Sequence, residues 1–167
     1  MSLLGKYVAV TEDTARSFIY GKTSVDDYFM ANYDRVMSVD EAWHGIYFTL
    51  TGDDGKKPSD SILANAVPIS GSGVCIGADG TDNPPVLLSA DDVRDTAVAL
   101  ARISDAEFSR RFNFNDMLNL SIYPLGGFED NEEQFCEFLL KNFTRLRSFF
   151  SDAAKQNRTV VFYLMKG

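Results

Sequence analysis

The stretch Ser38-Val-Asp-Glu-Ala-Trp-His-Gly-Ile-Tyr-Phe-Thr-Leu-Thr-Gly52 contains the only tryptophan and the only histidine of the chain. Ser38 and Glu41 form an S-x-x-E capping box, which predicts the start of a helix, and the final glycine suits the end of that helix. One stripe of the helix is apolar, but Phe48 points almost the opposite way and Gly45 leaves room for close approach. Because apolar groups on several faces are typical of an internal helix, we expect this helix to run through the middle of the domain.

Apolar periodicity and capping residues predict the other elements around this helix. The strongest pattern is a stripe of phenylalanine and leucine residues that predicts one long helix over residues 130–157. Asn142 lies within that stripe, and a buried amide needs a hydrogen-bond partner. The predicted strands are residues 6–10, 86–88 and 158–165, and the other predicted helices are residues 11–20, 24–32, 59–66, 89–102 and 104–112. The fold class is therefore α+β, a helix-rich single domain (residues 1–167) packed around a small mixed sheet that uses both chain ends.

The composition is that of a folded, acidic protein. The 167 residues are 45% hydrophobic and carry a formal net charge of −8. Because nucleic acids and anionic membranes both favour basic surfaces, this charge argues against either as the main partner. The chain has no apolar run of the roughly 20 residues that a membrane span needs, and its two cysteines, Cys75 and Cys136, are far apart in sequence. We therefore expect a cytoplasmic protein with reduced thiols.

Two kinds of loop segment have the composition of a ligand-binding motif but not its spacing. Gly71 to Gly77 reads G-x-G-x-x-x-G, which is one residue too long for a dinucleotide-binding loop, and no predicted helix follows it. The acidic turns at residues 52–55 and 79–83 lack the alternating ligands and the distal glutamate of a calcium loop. One histidine and two distant cysteines do not supply an ordinary zinc ligand set. We expect no cofactor and no metal.

His44 is the residue that points most directly to chemistry. Asp40 lies four residues earlier on the same flank of the helix, where a carboxylate orients an imidazole and favours its charged form. Together with Tyr47 and Tyr123, these residues define a candidate pocket beside Trp43, whose indole N–H should have an acceptor. The alternative interpretation is a structural histidine tied to a neighbouring group. A Cys–His pair with either cysteine also stays open.

The order D-x-x-W-H-x-[L/I]-x-x-x-L-T-G, present here from Asp40 to Gly52, is similar to a segment of the YfbM-like family, a bacterial domain of unknown function. Later landmarks agree in order, since Leu88 to Val93 resembles the start of a family helix and Ile122-Tyr-Pro124 resembles the family's I-Y-P turn. The tryptophan that often follows this turn in the family is replaced by Leu125-Gly-Gly-Phe128. The resemblance implies a compact cytoplasmic α+β domain and brings no catalytic residues with it.

Two classes of function follow from these patterns. In the first, the chain binds another protein in the manner of an inhibitor or immunity protein, and Asp79, Asp82 and Asp92 belong to the docking surface. Carboxylates that favour a helix N-terminus are an alternative explanation of the same acidic segment. In the second, the chain is a small-molecule-binding protein or an enzyme with its pocket beside Trp43. An accessible His44 next to Asp40 and a hydroxyl would favour the enzyme.

Overall fold

The first and last strands of the chain lie side by side in a computed structural model that describes residues 1–70, 73–77, 82–128 and 130–167. Strand β1 (Leu3–Val10) pairs antiparallel with the final strand, β5 (Thr159–Lys166), along its full length. The register runs from Leu3 opposite Lys166 to Val10 opposite Thr159. Both chain ends therefore belong to the sheet, as the sequence predicts, and the structure places them at its centre.

Three shorter strands complete the sheet in the order β2-β1-β5-β4-β3. They are β2 (Met37–Ser38), β3 (Val74–Cys75) and β4 (Val86–Leu88). Every described pairing is antiparallel, so the sheet differs from the mixed one that we expected. Helical segments separate β2 from β1 and β4 from β5 along the chain. The direction of these pairs is therefore not set by a short hairpin connection, and the sequence pattern does not contain it.

Seven α-helices occupy most of the rest of the described residues, which confirms the α+β class. They are α1 (Glu12–Ile19), α2 (Val25–Ala31), α3 (Trp43–Thr51), α4 (Ala90–Ala101), α5 (Asp105–Arg111), α6 (Phe114–Asn119) and α7 (Glu132–Lys155). Hydroxyl residues cap α1, α2, α4 and α5 as predicted; for example, Ser104 accepts the backbone N–H of Glu107. Asparagine side chains cap α6 and α7. The predicted helix over residues 59–66 is a 3-10 turn at Ile62–Ala66. Helix α6 was not predicted, because its six residues are too few to show an apolar period.

The start of α3 differs from the prediction. The hydroxyl of Ser38 accepts the N–H of Asp40 rather than that of Glu41, and a 3-10 turn at Asp40–Ala42 precedes the helix. Ser38 belongs to β2, where it pairs with Lys6, so the chain must turn sharply between strand and helix. Asp40 makes this turn with a φ of +56°, a conformation that aspartate tolerates better than most residues. The capping box is therefore wrong, whereas the predicted glycine at the helix end, Gly52, has a φ of +78°.

Helix α3 is internal, as its sequence predicts. Ile46 and Tyr47 have no exposed surface, and the backbone at Gly45 approaches α7 closely. A Cβ atom at Gly45 would lie 2.6 Å from Cδ2 of Leu139. One face of the sheet packs on α3, α4 and α7, and the other face packs on α1 and α2. Buried Asn142 has the partner that its position requires, since its amide donates to the carbonyl oxygen of Phe138. Among the described helices, none combines the length and the apolar run needed to cross a membrane.

Candidate functional site

Trp43 begins α3 and anchors its N-terminal end against β1. The indole N–H donates to the carbonyl oxygen of Leu3 at 2.9 Å, which confirms the predicted acceptor. The indole ring stacks on the His44 ring with the centroids 5.2 Å apart, and it also contacts the ring of Tyr123. Only 8% of Trp43 is exposed. The indole ring therefore contacts both of the other rings at the edge of the core, and we call the three rings the Trp43 stack.

His44 uses both of its ring nitrogens to hold two loops. Its Nε2 lies 2.8 Å from the carbonyl oxygen of Asp54, and its Nδ1 accepts the backbone N–H of Tyr123 at 3.0 Å. Because a carbonyl only accepts and an N–H only donates, the ring is neutral with its proton on Nε2. Burial lowers the pKa of His44, against the opposing effect of its contact with Asp54, and the charge of Lys56 lowers it slightly further. This histidine therefore ties the loop after α3 to the turn at Tyr123.

The predicted Asp40–His44 pair is wrong. Asp40 is exposed, and the left-handed turn at this residue lies outside the helix that carries His44. Both imidazole nitrogens are already occupied by backbone groups, so no Cys–His pair is available either. Cys75 is exposed and Cys136 is half-buried, and neither is in a disulfide. The neutral, fully bonded ring fits the structural interpretation of His44.

The predicted pocket residues are only partly brought together. The Trp43 ring stacks on His44 and contacts the tilted ring of Tyr123, but the hydroxyl of Tyr47 hydrogen-bonds to Ser70. The hydroxyl of Tyr123 accepts the backbone N–H of Leu3. Each hydroxyl near the Trp43 stack therefore has a structural partner, as does the histidine.

Trp43 also lines a cavity of about 210 Å³, which we call the Trp43 cavity. Apolar side chains form most of its wall. These include Trp43, Ile69, Val86, Phe162 and Leu164. Asp82 and Asn83, both exposed, stand at its opening. The volume is below the roughly 300 Å³ at which pockets for drug-sized ligands begin, so the cavity suits a single apolar side chain better than a whole cofactor.

Among the described residues, none pairs with the side of β5 that faces away from β1 beyond Phe162, and we call residues 163–166 the β5 edge. Pairing with β4 ends at Val86 opposite Phe162. The N–H of Gly167 donates to the carbonyl oxygen of Ser2, and hydrogen-bonded pairs alternate in an antiparallel ladder. Odd-numbered residues of β5 therefore direct their peptide groups toward β1, and even-numbered residues direct theirs toward the β4 side.

Leu164 and Lys166 consequently point their N–H and C=O groups away from β1, on the side where pairing with β4 has ended. No hydrogen bond to these groups occurs among the described residues. A second cavity, of about 450 Å³, runs beside them and is closed on its far side by Asp82 and Asn83. The result is a slot bordered by an open strand edge on one side and by an acidic loop on the other.

The sequence predicts a strand over residues 158–165 but does not indicate that pairing along one side of this strand ends partway. Two residues in the sequence, Pro84 and Pro85, do indicate where this pairing ends. If the register continued, residue 84 would stand opposite Leu164, but this residue is a proline and has no N–H with which to continue the ladder. The proline pair therefore marks where β4 must separate from β5.

The predicted acidic docking surface does not form one patch. Asp79 lies outside the described residues, and Asp82 stands at the Lys166 end of β5. Asp92 lies in the first turn of α4, just after Leu88, which pairs with Val160 at the other end of β5. Val160 and Lys166 are six residue steps apart along β5, which corresponds to about 20 Å. Of the described pair, only Asp82 borders the Trp43 cavity and the β5 edge.

The comparisons with known proteins agree with this architecture. The sequence profile of the domain of unknown function DUF1877 matches residues 1–163, and the chain belongs to this family. Its fold is similar to that of the protein of unknown function YfbM from Escherichia coli, known from a crystal structure, with a TM-score of 0.76 and 18% sequence identity. The similarity covers 97% of this chain and 99% of that chain. The resemblance to the YfbM-like family is thus confirmed. None of the curated proteins gives a match.

Proposed function

We propose that this chain is a non-catalytic domain that binds another protein, in the manner of an inhibitor or immunity protein. The observation that carries the proposal is the β5 edge, where the peptide groups of Leu164 and Lys166 have no hydrogen-bond partner among the described residues and lie beside an apolar cavity. An exposed strand edge is a template for pairing with another chain. A cavity of about 210 Å³ next to it offers a place for one side chain of that partner.

The state of His44 favours binding over catalysis. A general base needs a free nitrogen within reach of a substrate proton, whereas both nitrogens of this ring are bonded to backbone groups. The net charge of −8 supports a protein partner with a basic contact surface rather than nucleic acid or an anionic membrane.

The alternative function, a small-molecule-binding protein, has one observation in its favour, since the Trp43 cavity is apolar and has polar groups at its opening. Trp43 is the only tryptophan and lines this cavity, so a ligand that enters it would change the intrinsic fluorescence. A saturable change with a small apolar compound, absent from a variant with a filled cavity such as Val86→Phe, would favour this alternative.

Site-specific photo-crosslinking in the native host tests the protein-binding proposal. A benzophenone amino acid at position 166 places the reactive group at the β5 edge, where Lys166 is exposed. The matched control replaces Glu12, which is also exposed but follows the opposite end of β1. We expect a discrete adduct with one host protein at position 166 and none at position 12.

The partner identified in this way must then bind the unmodified chain as purified protein in isothermal titration calorimetry. Equal labelling at positions 12 and 166, or no complex between the purified proteins, would remove support for a protein-binding function at this edge.

A further inference from the structure

We infer that the partner contributes an extended segment that adds to the β5 edge as a strand and places one apolar side chain in the Trp43 cavity. This inference rests on the proposed function and specifies the recognition mode and the chemistry of the partner. It follows from three independent features of the described residues, namely the direction of the peptide groups, the face on which the cavity lies, and the charge at its opening.

The peptide groups define where the added strand pairs. Leu164 and Lys166 each offer one N–H and one C=O on the side away from β1. A strand placed there continues the ladder from the point where Pro84 interrupts it. Main-chain hydrogen bonds of this kind provide affinity without regard to sequence, as in other cases of strand addition.

The cavity defines which partner residue carries specificity. Side chains alternate between the faces of a strand, so Leu164 shares its face with Phe162. Both residues line the Trp43 cavity. Residues directly opposite one another in a sheet point to the same face, so the partner residue opposite Leu164 directs its side chain into the cavity. We expect an unbranched or branched aliphatic residue at that position, because the wall is apolar.

The negative charge of Asp82 indicates which residue should flank the aliphatic residue of the partner segment. The negative charge of the whole chain disfavours a second copy of this chain as the occupant. Asp82 is exposed at the opening of both cavities, and a lysine or arginine next to the apolar partner residue would lie near it. Two copies of this chain each carry a net charge of −8, and the repulsion between the whole chains opposes self-association. The occupant is therefore a segment of a different protein with an aliphatic residue flanked by a basic one.

A library of random linear peptides displayed on phage provides a probe that needs no knowledge of the natural partner. Selection on the full chain should enrich peptides that share an aliphatic residue with a basic neighbour. Amide hydrogen exchange measured by NMR should then show new protection at Leu164 and Lys166 when a synthetic peptide from the selection is bound. Nuclear Overhauser contacts should join the aliphatic side chain to the Trp43 ring.

A matched pair of variants at position 166 distinguishes the contribution of the peptide group to binding from that of the side chain. Lys166→Pro removes an N–H that points away from β1 and leaves the β1–β5 bonds in place, so we expect about tenfold weaker peptide binding. Lys166→Gln keeps that N–H, and its affinity should stay within about twofold of the original. Asp82→Asn should weaken binding by a few-fold, more at low salt than at high salt, whereas Asp34→Asn, another exposed carboxylate, should not.

The outcomes separate this inference from the proposed function. Peptides that bind but protect amides elsewhere, or a library without enrichment above background, would overturn strand addition, while a crosslinked and reconstituted protein complex would still support protein binding. A chain that dimerises in sedimentation experiments through the β5 edge would overturn the assignment of a different protein as the occupant. If Lys166→Pro perturbs folding, the exchange data on the unmodified chain decide the question alone.

Discussion

Replacement of Trp43 by alanine tests the anchoring of α3 most directly. The indole ring is 8% exposed, it stacks on His44, and its N–H donates to Leu3. Emptying a core site of this size costs about 3–5 kcal/mol of the free energy of unfolding. Trp43→Phe keeps most of the ring but removes the donor and leaves the Leu3 carbonyl without its partner, which costs about 1–2 kcal/mol. The expected order of stability is therefore the original chain, then the phenylalanine variant, then the alanine variant.

Urea unfolding followed by far-UV circular dichroism measures both changes, and circular dichroism avoids the loss of the tryptophan signal. The slope of the transition should stay the same in all three chains, so that the midpoints report stability. A loss below about 1 kcal/mol in Trp43→Ala, within the range of ordinary surface substitutions, would contradict the assignment of this residue to the core and with it the wall of the Trp43 cavity.

Three further predictions concern other contacts. Burial lowers the pKa of His44 in the folded chain. The neutral ring of His44 should therefore contribute its full stabilisation above the unfolded pKa of about 6.5, and this contribution should be lost as the pH falls through the folded pKa. Urea midpoints measured at a series of pH values should show this pH dependence, and His44→Gln should abolish it. Gly45→Ala should destabilise the fold by about 1–3 kcal/mol, despite the higher helix propensity of alanine, because the new Cβ would lie 2.6 Å from a methyl group of Leu139; an unchanged thermal midpoint would refute this close approach. Hydrogen bonds from Arg110 and Arg111 lower the pKa of Glu107 to about 2, so an NMR titration of Arg110→Gln should show that pKa rising toward its ordinary value.

The sequence predicts the interior of this fold better than its edges. Apolar residues on several faces of α3 indicate burial whatever surrounds the helix, and the stripe of α7 indicates its length in the same way. The strands β2 and β3 contain two residues each, and no period can be read from two residues. Their existence depends on which loop returns to which neighbour, and a local pattern does not contain that information.

Only part of the candidate site was predicted, because local sequence patterns do not show which distant segments meet. The proximity of Trp43 and His44 follows from adjacency in one helix, and their contact with Tyr123 places one predicted residue correctly. The partner of His44 could not be read from helical spacing, because the sharp turn at Asp40 removes that residue from the helix and backbone groups of two distant loops take its place. Backbone partners leave no trace in side-chain patterns.

The contact between Ser2 and Gly167 makes this chain a candidate for circular permutation. A short linker could join the two ends, and new ends could be opened in the exposed turn at Lys57. The rearranged chain would convert the pairing of β1 with β5 from the most distant in sequence to a local hairpin, which lowers the entropy lost on closing that contact. Folding of the permuted chain should therefore be faster than that of the original at similar stability, with the central hairpin formed before the helices pack on it.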